Sequence, residues 1–132
     1  MAGGLTNAGC SAIAVLVVGN PDAITTFGST GARLGVGSAS TAFAASQTNL
    51  QDPFADSRKA MDTGYPTRSS QTITWKATWG ASDAVGGWNE VAVFNASTSA
   101  TGTMLIRDVQ DLGDKPSSQA WTLTWSATIA QD

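Results

Sequence analysis

The sequence predicts an all-β chain folded as an antiparallel sandwich, and three observations predict it. In the first segment Ile73, Trp75, Ala77 and Trp79 share one parity against Thr72, Thr74, Lys76 and Thr78. In the second, Trp121, Leu123, Trp125, Ala127 and Ile129 stand against Thr122, Thr124, Ser126 and Thr128. A period of two places each set on its own face, so both segments read as half-buried strands that aim four of the five tryptophans at one core. The third observation is punctuation: short extended runs alternate with clusters of Gly, Ser, Thr and Asp throughout the C-terminal half.

From the N-terminus, residues 1–9 are glycine-rich and aperiodic and read as an extended arm, free or held by a partner. Residues 10–18 carry the continuous run Ile13-Ala14-Val15-Leu16-Val17-Val18, which reads as a buried strand. Asn20-Pro21-Asp22 signals a turn, residues 23–27 a short strand, and Gly28-Ser29-Thr30-Gly31 another turn. Leu34-Gly35-Val36-Gly37 is extended. Residues 38–51 are rich in Ala, Ser and Thr and read as either a surface loop or a short helix near residues 48–50.

One short helix is expected around residues 52–62. Asp52 would cap it, Pro53 would occupy its first position, and Phe54, Ser57, Arg58 and Met61 fall at helical spacing. Gly64 and Pro66 would end it. Strands then follow at 72–79, 88–95, 103–109 and 120–130, joined by loops at 80–87, 96–102 and 110–118. The expected architecture is a jelly-roll-like antiparallel sandwich, with residues 1–9 as an arm and 10–132 as a single domain.

Composition narrows the function classes. Only 13% of residues are charged, about half the usual share, and Ser, Thr, Gly and Ala supply most of the remainder. A net charge of −3 with seven scattered Lys and Arg argues against a nucleic-acid partner. The absence of histidine removes Ser-His-Asp and Cys-His machinery and His-ligated zinc. Cys10, the single cysteine, can form no internal disulfide and reads as a buried thiol, with an intermolecular bridge left open. The apolar run at 13–18 falls far short of the ~20 residues of a membrane span, and no basic n-region precedes it. Neither a membrane partner nor a cleaved secretory signal is expected.

Candidate chemistry is sparse, and no cofactor is expected. Gly35-Val36-Gly37 lacks the third glycine of a dinucleotide fingerprint. Asp108, Asp111 and Asp114 recur at intervals of three in a presumed loop, without the spacing of an EF-hand, and read as solvated rather than as a metal site. Asn95-Ala96-Ser97 matches a glycosylation acceptor formally. Glu90 is the only glutamate and sits in an apolar strand. As a raised-pKa general acid it would need an opposing carboxylate that nothing nearby supplies. As a structural group it would pair with Arg107 on the adjacent hairpin strand or with Lys115 in the loop, fixing register more than adding stability. Trp88, at the end of the 80–87 loop, is the one tryptophan placed to stack on a sugar ring. That makes a carbohydrate-binding module, gripping sugar rings with Trp88 and the 80–87 and 96–102 loops, the alternative to a structural role.

Four segments carry a resemblance. They are Trp88 through Ala96, then Gly102-Thr103-Met104-Leu105-Ile106-Arg107, then Leu112-Gly113-Asp114-Lys115, and last Trp121-Thr122-Leu123-Thr124. In this order and spacing they resemble small structural proteins of tailed bacteriophages, often labelled virion, tail-fibre or tail-collar proteins. That family commonly carries a W-x-E-x-G-x-F-N strand, a G-x-M-L-x-R strand, an L-G-x-K loop and a W-x-L-T strand. Gly35-Val36-Gly37, Thr41-Ala42, Gln47-Thr48-Asn49-Leu50 and the stretch from Met61 to Pro66 also follow the family's order, so the similarity runs from about residue 33 onward. The chain departs from the pattern at Ala92, where glycine is usual, and at Ile106, where a polar residue is common.

The resemblance implies a non-enzymatic virion component, assembled in the host cytoplasm and exposed on the particle exterior. It would decorate and stabilise the capsid or attach at the neck or tail. Implied partners are copies of itself, as a trimer or another homo-oligomer, and other virion proteins such as the major capsid protein or neck and tail proteins. Glu90, Arg107 and Lys115 are the family's charged positions by the same resemblance.

Overall fold

A computed structural model describes residues 2–19 and 24–130. Among the described residues, eight strands and one helix run in the order β1 (Ala2–Leu5), α1 (Asn7–Val17), β2 (Arg33–Gly37), β3 (Lys59–Ala60), β4 (Thr67–Ser69), β5 (Thr72–Trp79), β6 (Gly86–Phe94), β7 (Met104–Lys115) and β8 (Trp121–Thr128). All pairings are antiparallel. They build a five-stranded sheet in the order β1-β7-β6-β2-β3 and a three-stranded sheet in the order β4-β5-β8. The fold is an all-β, sandwich-like arrangement.

The core lies between the sheets. Leu34 and Val36 from β2, Val91 and Val93 from β6, and Ile106 from β7 meet Trp75, Ala77 and Trp79 from β5. The alternation in β5 and β8 is realised over their whole length, with Trp75 opposite Trp125 and Trp79 opposite Trp121. On the outer face the hydroxyls pair across the strands: Thr72 with Thr128 at 2.8 Å, Thr74 with Ser126 at 2.8 Å and Thr78 with Thr122 at 2.9 Å. Trp88 joins the two tryptophan strands, its ring centroid 4.9 Å from Trp79 and 5.2 Å from Trp121, both edge-on.

The N-terminal expectations are corrected. Residues 2–5 of the presumed arm are a strand, paired from Ala2 opposite Val109 to Leu5 opposite Ile106. The apolar run read as a strand is the C-terminal part of α1. Thr6 caps this helix by accepting a hydrogen bond from Gly9 N at 2.9 Å, and Gly9 and Ala12 form its buried face. Short apolar runs fit a helix or a strand equally by pattern, and here the cap decides. Val17 and Val18 end the helix 79% and 77% exposed, and Cys10 is exposed rather than buried. No helix among the described residues is long and apolar enough to cross a membrane.

The helix expected at 52–62 is absent. Its intended cap, Asp52, instead accepts a hydrogen bond from Ser38 N through its carbonyl at 2.9 Å, and Pro53 bridges to Gly37. Lys59–Ala60 continues as a strand against β2. Residues 38–51 take the loop alternative. Of the short strand at 23–27, residues 24–27 are irregular, and residue 23 lies outside the described residues, as does the Asn20-Pro21-Asp22 turn. The strand expected at 103–109 extends to Lys115, so Asp108, Asp111 and Asp114 stand along β7 rather than in a loop.

Candidate functional site: a buried ion pair that anchors the 38–58 connection

The long connection from β2 to β3 crosses the outer face of the five-stranded sheet, and it does so without regular structure of its own. Backbone amides on such a path need partners. Glu90, on the central strand β6, provides two. Its Oε1 accepts from Asp52 N at 2.8 Å and its Oε2 from Gln51 N at 3.0 Å. Across the hairpin, Arg107 Nε donates to Glu90 Oε2 at 2.8 Å, and neither side chain has any exposure. The guanidinium continues to Gln47 Oε1 and to the Thr41 carbonyl, each at 3.0 Å. Gln47 in turn donates to the Ala42 carbonyl at 3.0 Å.

This arrangement depends on a glycine. A Cβ on Gly37 would overlap the Glu90 carboxylate and come within 2.6 Å of the Asp52 carbonyl. Gly37 thus lets the strand, the carboxylate and the connection share one place. Beside this polar centre sits an apolar one, where Leu50 packs with Ala92, Phe94 and Met104. Arg58 closes the far end. Its guanidinium lies 3.5 Å from the Phe94 ring centroid and donates to the carbonyls of Ala96 and Thr101 and to Asn49 Oδ1. Burial lowers the Arg58 pKa to about 10, which leaves it cationic at neutral pH.

The structure brings Glu90 and Arg107 together and leaves Lys115 apart. Lys115 is buried, and its ammonium donates to the Ala81 carbonyl at 2.8 Å in the 80–87 loop, with the Pro116 carbonyl at 3.5 Å. Trp88 requires correction as a glycan contact. It is 2% exposed, wedged between Trp79 and Trp121, and its Nε1 donates to the Ala84 carbonyl at 2.8 Å. No face of the ring is open to a sugar. Asn95 is likewise engaged, its amide donating to Thr25 and its oxygen accepting from Thr103 N.

Residues without a site role in the sequence reading complete the anchor: Thr41, Gln47 and Gln51, together with Asp52 and Arg58, which that reading places in a helix. One signal for them was present. The segments Thr41-Ala42 and Gln47-Thr48-Asn49-Leu50, singled out by resemblance, are the ones that Arg107, Arg58 and the Phe94 cluster hold.

Chemically, the arrangement spends its charges internally. Both Glu90 oxygens accept from the protein's own donors, and among the described residues every buried side-chain nitrogen or oxygen has a partner. No cluster of three or more metal-ligating side chains forms among them. No protein-family model matches the chain, and no curated protein matches it.

Proposed function

We propose that this protein is a non-enzymatic structural subunit of a tailed-bacteriophage virion, an accessory on the particle exterior that decorates the capsid or attaches at the neck or tail. The observation that carries the reading is the use made of Glu90 and Arg107. The charged side chains central to the fold are bonded to backbone and to each other, fastening an irregular connection to a sheet. A subunit that must keep its shape within an assembly benefits from such anchoring, whereas a catalytic carboxylate needs an oxygen facing its substrate.

Two further features support the reading. The family-like segments form contiguous structure, since the Glu90 strand and the Arg107 strand are hairpin partners. The exposed face of β5 and β8 is a ladder of hydroxyls with little charge. Partners in this reading are further copies of the chain and the capsid, neck or tail proteins beneath it. The carbohydrate-binding alternative loses its tryptophan, because Trp88 is enclosed, and rests on the neighbouring loops alone.

Immunogold electron microscopy of the source phage tests the proposal, using antibody raised against the purified chain. Gold over the head would make it a capsid decoration protein, and gold confined to neck or tail a collar or fibre component. Intact particles that take no label would overturn the exterior assignment.

A further inference from the structure

The two sheets have four edges among the described residues, and three of them are blunted. β3 has two residues and carries Lys59; β4 has three and carries Arg68; β1 has four, two of them Gly3 and Gly4. These are the usual protections against edge-to-edge association. β8 has none of them. It runs for eight residues, Trp-Thr-Leu-Thr-Trp-Ser-Ala-Thr, with no charge, no proline and no register shift against β5.

The direction of its free backbone groups follows from one hydrogen bond. Ile129 N donates to the Gln71 carbonyl at 2.9 Å, so Ile129 points its backbone at β5. Backbone groups alternate sides along a strand. Trp121, Leu123, Trp125 and Ala127 therefore serve β5, while Thr122, Thr124, Ser126 and Thr128 present their amides and carbonyls to the open edge. We infer that this edge pairs with β8 of a second copy, antiparallel about a two-fold axis, to join two three-stranded sheets into one of six.

Self-pairing suits the strand's own pattern. Ladder bonds at the open edge must link Thr and Ser positions to Thr and Ser positions. In an antiparallel pair, opposed residues share a face, so hydroxyls then meet hydroxyls and the half-buried Trp and Leu side chains meet their counterparts. No charge on either strand opposes the approach.

The flank of the sandwich supplies the rest. β1 and β8 are the lips of a cleft of about 500 Å³ lined by Gly3, Gly4, Ile106 and Trp125. A second, largely apolar cleft of about 630 Å³ adjoins it beneath α1, rimmed by Leu5 and Ile129, which are 42% and 64% exposed. A strand of eight residues is ~27 Å long and the sheets stand ~10 Å apart. With its apolar rim that flank offers several hundred Å², the order of the ~800 Å² per partner in a stable interface. Isologous two-fold contacts are the commonest way such a surface is covered.

The inference does not rest on the virion assignment, and the two can fail separately. Sedimentation velocity of the full chain is expected to give a dimer. Thr124→Pro deletes an outward amide and leaves every amide that serves β5, a position where an edge strand tolerates proline. It is expected to weaken the dimer by about 100-fold, from two lost hydrogen bonds, with the far-ultraviolet circular dichroism of the sheets unchanged. Should Thr124→Pro fail to fold, Thr122→Pro makes the same test nearer the strand's end. A monomeric or trimeric wild-type protein overturns the inference, and so does a dimer that persists in both proline variants. A monomer that takes up a strand from another virion protein also overturns it.

Discussion

Arg107 Nε lies 2.8 Å from Glu90 Oε2, on hairpin strands, with both side chains wholly shielded from solvent. Removing one partner of such a pair strands a buried charge. Glu90→Gln is expected to cost about 3–5 kcal/mol of folding stability in urea unfolding, and Arg107→Met a similar amount. The double variant should cost clearly less than the sum, because the stranded charge is then gone. Additive costs would show that the two residues act separately.

Gly37 is the position where three groups crowd together. Gly37→Ala is expected to destabilise the fold by about 1–3 kcal/mol, the usual cost of overpacking. Hydrogen exchange should localise the change to residues 38–58, with the amides of Gln51 and Asp52 losing protection first. Unchanged protection there would separate Gly37 from the anchor.

Thr6 joins the N-terminal helix to the sheet. It is fully buried, accepts from Gly9 N, and its hydroxyl donates to the Met104 carbonyl. Thr6→Val keeps the shape but removes both bonds and is expected to cost about 1–3 kcal/mol. Thr6→Ser should retain most of the stability. Equal losses in the two variants would point to packing of the methyl group rather than to the cap.

The tryptophans differ in depth. Trp88 is enclosed, whereas Trp125 on the edge strand is half-buried. Trp88→Ala is expected to cost about 3–5 kcal/mol, and Trp125→Ala measurably less in the monomer. Denaturant midpoints at one low protein concentration compare them. Near-equal losses would contradict the enclosure of Trp88.

One surface pair gives a pH signature. Lys59 Nζ lies 2.8 Å from Asp83 Oδ2 and, as its principal partner, holds the Asp83 carboxyl below its ordinary 3.8. A depressed carboxyl pKa means stability that is present above that ordinary, unfolded value and lost as pH falls through the lower folded value. Asp83→Asn should therefore melt below wild type at neutral pH, with the two curves converging in acid. Parallel melting-temperature curves across that range would exclude the contribution.

Legibility in the sequence followed the strength of local periodicity. β5 was predicted residue for residue, and β8 within two residues at its C-terminal end, because alternating Thr and Trp admits one reading. The Ile13 to Val18 run carried no such constraint, and its helix depended on Thr6 finding both Gly9 and the Met104 carbonyl, a partner 98 residues away. Asp52-Pro53 is a sound local helix start that lost to tertiary demand, since Glu90 holds the amides of Gln51 and Asp52 and Ser38 donates to the Asp52 carbonyl.

The same division runs through the anchor. Pattern alone determined that Glu90 lies in an apolar strand and that Arg107 lies on the neighbouring one, close enough to pair. Tertiary structure alone decided that Arg107, and not Lys115, takes the carboxylate, that residues 38–58 are what the pair holds down, and that Trp88 turns inward. Alternation reports which face a side chain occupies, because it is a property of one strand. It is silent on what covers that face, because the covering segment arrives from far along the chain and is chosen by which buried donors and acceptors it can satisfy.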